Sequence, residues 1–317
     1  MSDEMSMTPD EHTGTGLAST LPPAPGTRTP RRGRALLWLA VLALVASSCA
    51  LATPEGAGPL RYRDAIFTTV TKTSDIVYGS AVDQQGNTVT LTVDVYRPGG
   101  DQVTSRPLMI YVHGGSFSSG SKTSPELVDE ATTLAQKGYV TASINYRLAS
   151  RGCPAGGAEC VQAIYDANTD AQNAVRFFRA HAASYGIDTT RIGIGGSSAG
   201  AITALDVGYR VESPNAPPPS PDSQVRAAVA LSGAVIFTGS VGPGDAPALL
   251  FHGTADPLVP YSWAQGTVDA AHQAGLEAYL ISWDGDGHVP YVKHRQEILD
   301  LTTNFLYYKL DAANAAR

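Results

Sequence analysis

The sequence predicts an α/β protein, a mostly parallel central sheet of about eight strands with helices on both faces. Short apolar runs near 108–112, 139–145, 191–195, 225–231, 247–251 and 277–283 alternate with helical runs near 124–137, 162–184, 199–210, 262–274 and 290–311. Such alternation packs helices onto a parallel sheet through right-handed crossovers. Ahead of it, Thr88-Val89-Thr90-Leu91-Thr92-Val93-Asp94-Val95-Tyr96 alternates residue by residue and pairs with a strand near Ile76 to Ser80 across Gln84-Gln85-Gly86-Asn87, an antiparallel start. A chain of 317 residues, 43% hydrophobic and 16% charged, is long and apolar enough to bury a large core within one domain. Its formal net charge of −7, with no basic stripe, argues against nucleic acid or an anionic membrane surface as partner.

The first 52 residues have a different character. A polar, Pro- and Thr-rich start leads to Arg31-Arg32-Gly33-Arg34, an apolar run from Ala35 to Ala46, and Ser47-Ser48-Cys49-Ala50. Positive, apolar and small in that order is an export signal. The apolar run falls short of the roughly 20 residues a transmembrane helix needs. Two processing readings follow. Ala46-Ser47-Ser48-Cys49 resembles a bacterial lipoprotein box that would lipidate Cys49, and this is preferred; a cleavage at Ala50-Leu51-Ala52 would instead release a free secreted protein. Membrane contact is expected only through that N-terminal lipid or anchor. Residues 53–64 read as a short linker and 65–317 as the folded domain.

The first apolar strand, Pro107 to Val112, ends in His113-Gly114-Gly115-Ser116-Phe117. A strand's C-terminal end in an open α/β sheet faces the ligand crevice, and two adjacent glycines leave backbone N–H groups bare. Cys153 and Cys160, separated by a short loop, form an even pair once Cys49 is set aside, and an exported chain would join them as a disulfide. Arg191-Ile192-Gly193-Ile194 runs into Gly196-Ser197-Ser198-Ala199-Gly200 and then the helix-like Ala201-Ile202-Thr203-Ala204-Leu205. This is a G-x-S-x-G on a strand-turn-helix, which pushes the Ser198 hydroxyl out above the sheet. It has neither the dinucleotide glycine spacing nor the Lys-Ser/Thr pair of a phosphate loop.

The Pro-rich stretch 213–221 is a surface loop because the sheet pattern continues on both sides of it. Gly233 to Ala246, between the sixth and seventh strands, is short and glycine-rich. Phe251-His252-Gly253-Thr254-Ala255-Asp256 places Asp256 in the loop after a strand, and His252, at the strand end, reads as structural. The last strand leads through Asp284-Gly285-Asp286-Gly287 to His288, free to swing over the strand ends. His272 and His294 fall in helical runs and read as exposed helix residues. A serine nucleophile needs a base of near-neutral pKa and a carboxylate that orients it. His288 and Asp256 fit those roles; Asp284 and Asp286 are rivals for the acid, but a turn so close to the ring rarely aims a side chain at it.

These motifs together resemble the serine esterases of the α/β-hydrolase superfamily, in the carboxylesterase and hormone-sensitive-lipase-like group. The likeness spans roughly residues 65 to 312 and is supported by Tyr146-Arg147-Leu148-Ala149, Asp170 and Tyr185-Gly186-Ile187-Asp188. The chain departs from the group at Ser116 and Phe117, where a third glycine or a tryptophan is frequent, and at Ser150-Arg151, where Pro-Glu is usual. The resemblance implies the α/β-hydrolase fold and hydrolysis of carboxylic esters through an acyl-enzyme on Ser198, with His288 as base, Asp256 as acid, and backbone N–H groups of Gly114, Gly115 and Ala199 as oxyanion hole. It implies no metal and no cofactor; and since a lid in this superfamily is usually inserted between the sixth and seventh strands, where Gly233 to Ala246 is short, it implies no separate cap domain and an open groove. The substrate would be a small or polymer-borne ester, with apolar lining from Phe117, Tyr146 and the residues around Leu258. A prolyl-oligopeptidase-type peptidase shares the fold and triad order but carries a propeller domain that this chain does not encode. A non-catalytic binding protein on the same scaffold usually loses a triad residue, and all three candidates are present here.

Overall fold

The computed structural model describes residues 50–153, 156–214, 221–237 and 239–315. Of the export-type segment 1–52, residues 1–49, Cys49 among them, lie outside the described residues. The strands are β1 (Val70–Val82), β2 (Thr88–Pro98), β3 (Arg106–Val112), β4 (Val140–Ile144), β5 (Ile187–Ser197), β6 (Ala227–Leu231), β7 (Ala248–Gly253) and β8 (Ala278–Trp283). The helices are α1 (Pro125–Gln136), α2 (Gly157–Ala180), α3 (Ala182–Tyr185), α4 (Ala199–Gly208), α5 (Tyr261–Gln273) and α6 (Tyr291–Lys309). One eight-stranded sheet runs in the order β1-β2-β4-β3-β5-β6-β7-β8. β1 pairs antiparallel with β2, and β2 antiparallel with β4; every later pairing is parallel.

Period-two alternation divides the core into two layers. Leu108, Ile110 and Val112 of β3, with Ala228, Ala230 and Leu250, point into the layer shared with α2, α4 and α5. Met109 and Tyr111, with Val229, Leu231 and Phe251, point into the layer shared with α1 and α6. Because both faces are covered, β3, β4, β6 and β7 are buried at every position. Each parallel strand therefore aims its C-terminal end at the same edge of the sheet. All the motif loops start there.

Three features differ from the sequence reading. The helical run expected over 162–184 begins at Gly157 and breaks at His181 (φ −110°, ψ 18°) into α2 and α3. The chain must turn there because the Gly186 carbonyl accepts from Arg106 N at 2.9 Å, and Ile187 already pairs with Arg106. For the same reason β5 starts before Arg191, with a register shift opposite Pro107, which has no N–H to give the ladder. The stretch 53–64 packs on the domain: Tyr62 is buried, and its N–H reaches the Lys137 carbonyl at 2.7 Å. The β6–β7 connection holds no helix or strand among the described residues.

Candidate active site

Ser198 stands between β5 and α4 with φ 54° and ψ −119°, a backbone conformation costly for a residue with a side chain. Neighbouring hydrogen bonds hold it there: its N–H donates to the Leu231 carbonyl at 2.8 Å, and its carbonyl accepts from Ala201 N at 2.9 Å. A Cβ on Gly200 would lie 1.9 Å from the Val112 carbonyl oxygen, so only glycine lets α4 start this close to β3. On the other side of Ser198, a Cβ at Gly114 would sit 3.1 Å from the Ser198 Cβ, which places the glycine turn directly against it. Ala199 is the first residue of α4, and its N–H has no partner within the helix.

The glycine turn is braced from below. His113 is buried, its Nδ1 is 2.7 Å from the Gly114 carbonyl, and its ring stacks on Tyr146 with centroids 4.4 Å apart. Burial pushes the His113 pKa down to about 4, so the ring stays neutral. The Tyr146 hydroxyl donates to the His113 carbonyl at 3.1 Å. Tyr146 therefore supports the turn and does not line the groove, contrary to the expectation from sequence. Ser116 and Phe117 both take positive φ (53° and 62°), and the Ser116 and Phe117 carbonyls accept from Cys153 N and Ala149 N at 3.0 and 2.8 Å.

β8 and the following turn deliver His288 over Ser198. Its Nε2 is 2.7 Å from Ser198 Oγ, and its Nδ1 is 2.7 Å from Asp256 Oδ2. With the proton on Nδ1 donated to Asp256, Nε2 is left to accept from the serine hydroxyl. Asp256 Oδ1 accepts from Leu258 N and Val259 N at 2.9 and 3.0 Å. Burial of this carboxyl works to raise its pKa, but the bonds from His288 and the two backbone N–H groups outweigh it and hold the group below the ordinary aspartate value. The two loops dock through Ala255 N to the Asp286 carbonyl (2.9 Å) and Thr254 N to the Trp283 carbonyl (3.0 Å).

The rival acids are engaged elsewhere. Asp286 pairs with Lys293 and His294, and Asp284 accepts from Thr254 Oγ1 at 3.0 Å. His294 is half-buried, stacked on Trp283 at 4.0 Å, and sits at a kink in α6, so it is no free surface histidine. His272 is exposed, with Nε2 2.9 Å from the Ala278 carbonyl. His252 is fully buried; its Nε2 lies 2.9 Å from the Val259 carbonyl and 3.2 Å from Asp256 Oδ2, bracing the acid loop. Cys153 and Cys160 are joined by a disulfide, and Arg147 closes on Asp170 through Nη2 at 2.8 Å.

Two pockets meet at Ser198. One, about 350 Å³, is lined by Gly114, Gly115, Ser124, Glu126 and His288. The other, about 270 Å³, is lined by Phe117, the disulfide, Ile164, Ile202 and Trp263. Glu126 reaches the site from α1, accepting from Ser197 Oγ at 2.8 Å. Sequence reasoning missed it, and the only available signal was an acidic residue in the first turn of the helix after the glycine turn.

Two family models match this chain, BD-FAE over residues 93–238 and TAP-like protein over residues 227–312. Phenmedipham hydrolase of Pseudarthrobacter oxydans is 36% identical over 115 residues, covering 36% of this chain and 22% of that protein. The probable carboxylic ester hydrolase LipM of Mycobacterium tuberculosis is 26% identical over 294 residues, covering 78% of this chain and 61% of that protein. This chain thus spans between 22% and 61% of the length of these two relatives. Among solved structures, the native form of Est2, a thermophilic esterase from Thermogutta terrifontis, superposes with a TM-score of 0.61 at 24% identity, over 78% of this chain and 95% of that one. Sheet order, strand-end loops and the two family matches agree: the chain has the α/β-hydrolase fold and is similar to esterases of that superfamily.

Proposed function

We propose that this protein hydrolyses carboxylic esters through an acyl-enzyme on Ser198. The observation that supports the reading most is the continuous chain Asp256–His288–Ser198, with 2.7 Å at each link. His288 Nε2 takes the hydroxyl proton as Ser198 Oγ bonds to the ester carbonyl carbon. The resulting oxyanion is met by N–H groups of Gly114, Gly115 and Ala199, donors of a kind whose single loss costs about 10²–10³ in rate. His288 then gives its proton to the departing alcohol oxygen as the acyl C–O bond breaks. Water repeats the sequence, and the carboxylic acid leaves. Asp256 keeps His288 in the tautomer that accepts at Nε2 and stabilises the imidazolium without taking the proton itself.

The Cys153–Cys160 disulfide supports an exported enzyme, since such bridges persist in oxidising compartments. Lipidation at Cys49 belongs to the same reading. Turnover of p-nitrophenyl acetate by wild type and by Ser198→Ala tests the chemistry. Loss to the background rate in the variant is expected; retained turnover would refute the assignment.

A further inference from the structure

The two pockets at Ser198 are chemically unequal, and only one of them is lined by His288. The departing alcohol must receive its proton from His288 Nε2, so the alcohol half of an ester belongs on the Glu126 side. The acyl half then falls on the side of Phe117 and the disulfide. That apolar pocket does not end at Trp263. Ile236 and Trp263 also line a second apolar pocket of about 280 Å³, walled by Val235, Val241, Gly266 and Ala270. Trp263, Gly266, Thr267 and Ala270 share one face of α5, at the i, i+3, i+4, i+7 spacing. The opposite wall is fixed: Val235 N donates to Thr267 Oγ1 at 2.9 Å, and Phe237 stacks on Tyr165 of α2 with centroids 4.6 Å apart.

We infer that the two apolar pockets form one acyl cleft, built for esters of medium-length aliphatic acids, with Gly266 setting its reach. This rests on the reading of Ser198 as the acylated serine. An apolar cavity of about 150 Å³ takes up benzene, so the first pocket, about 270 Å³, has room for a chain of about ten carbons. Longer acyl chains enter the second pocket. Gly266 keeps it open, because a Cβ there would meet nothing within 4 Å, which is free space that a longer side chain would fill. The exposed Trp263 (49%) and Leu258 (66%) are the large apolar groups at the cleft's rim.

The test uses the full chain and the p-nitrophenyl esters of acetate, butyrate, octanoate and laurate, with Gly266→Leu as the plug and Gln265→Leu, an exposed neighbour on α5 outside both pockets, as control for any change in the helix. Wild type and Gln265→Leu should keep kcat/KM from butyrate to laurate. Gly266→Leu should keep acetate and butyrate turnover but lose laurate at least about tenfold, the equivalent of two methylenes no longer buried. An unchanged chain-length profile in Gly266→Leu would overturn the inference, as would an equal loss on every ester. A parallel series of n-alkyl acetates should be indifferent to the plug; discrimination there would assign the cleft to the alcohol. Failure of the catalytic reading shows differently, as ester turnover that survives Ser198→Ala.

Discussion

Asp256→Asn changes one atom and should remove most of the activity. The carboxylate accepts through Oδ1 from Leu258 N and Val259 N, at 2.9 and 3.0 Å, and through Oδ2 from His288 Nδ1 at 2.7 Å. An asparagine can satisfy the two backbone donors only with its carbonyl oxygen, which turns its NH₂ towards His288. The ring must then accept at Nδ1 and carry its proton on Nε2, where it faces Ser198 with nothing to accept the hydroxyl proton. Wrong-tautomer substitution in the serine protease triad costs about 10⁴ in kcat, equivalent to about 5 kcal/mol of transition-state stabilisation. A loss of that order is expected for p-nitrophenyl butyrate, with the folded state retained by circular dichroism. Asp286→Asn serves as the comparison, because Asp286 is occupied by Lys293 and His294. Less than a tenfold loss in Asp256→Asn, or a larger one in Asp286→Asn, would refute the tautomer argument.

Three further outcomes follow from the packing. Gly200→Ala sets a Cβ 1.9 Å from the Val112 carbonyl oxygen and should cost about 3 kcal/mol or more, read as a lower denaturation midpoint together with lost turnover. Removing the disulfide as Cys153→Ser/Cys160→Ser should cost about 2.5 kcal/mol by loop entropy, or about 5–10 °C in Tm for a domain of this size. Scanning calorimetry without reductant measures it, and an unchanged Tm would deny the bridge a stabilising role. Glu130 is buried, and burial with repulsion from Glu126 raises its pKa from 4.5 to about 8. A raised carboxyl contributes stability that is fully present below its ordinary pKa and is lost as pH climbs through the folded value. Glu130→Gln should therefore gain Tm relative to wild type at about pH 9 and little at about pH 5; equal shifts at both would show that the group is ionised throughout.

What could be read from the sequence is what local spacing dictates. The strand-turn-helix around Ser198 follows from glycines two residues either side of it, and the loops bearing Asp256 and His288 follow from apolar strands with turn residues behind them. Contacts from distant parts of the chain were hidden. Glu126 lies 71 residues before Ser197, and no pattern near either announces the 2.8 Å bond between them. Tyr146 looked like pocket lining because it is aromatic and follows a strand, yet the stacking on His113 turns it under the glycine turn. The break at His181 was invisible because a helix period continues through it, and only the pairing of Ile187 with Arg106 forces the chain round. His294 looked like a surface residue because its partners, Asp286 and Trp283, come from the turn and strand before the helix.

In the proposed reaction Ser198, and not its neighbour Ser197, becomes acylated, with His288 drawing off its proton. Incubation with a fluorophosphonate followed by peptide mass analysis tests that directly. One adduct is expected, on Ser198 in wild type and in Ser197→Ala, and none in Ser198→Ala. An adduct on Ser197, or one that survives in Ser198→Ala, would contradict it.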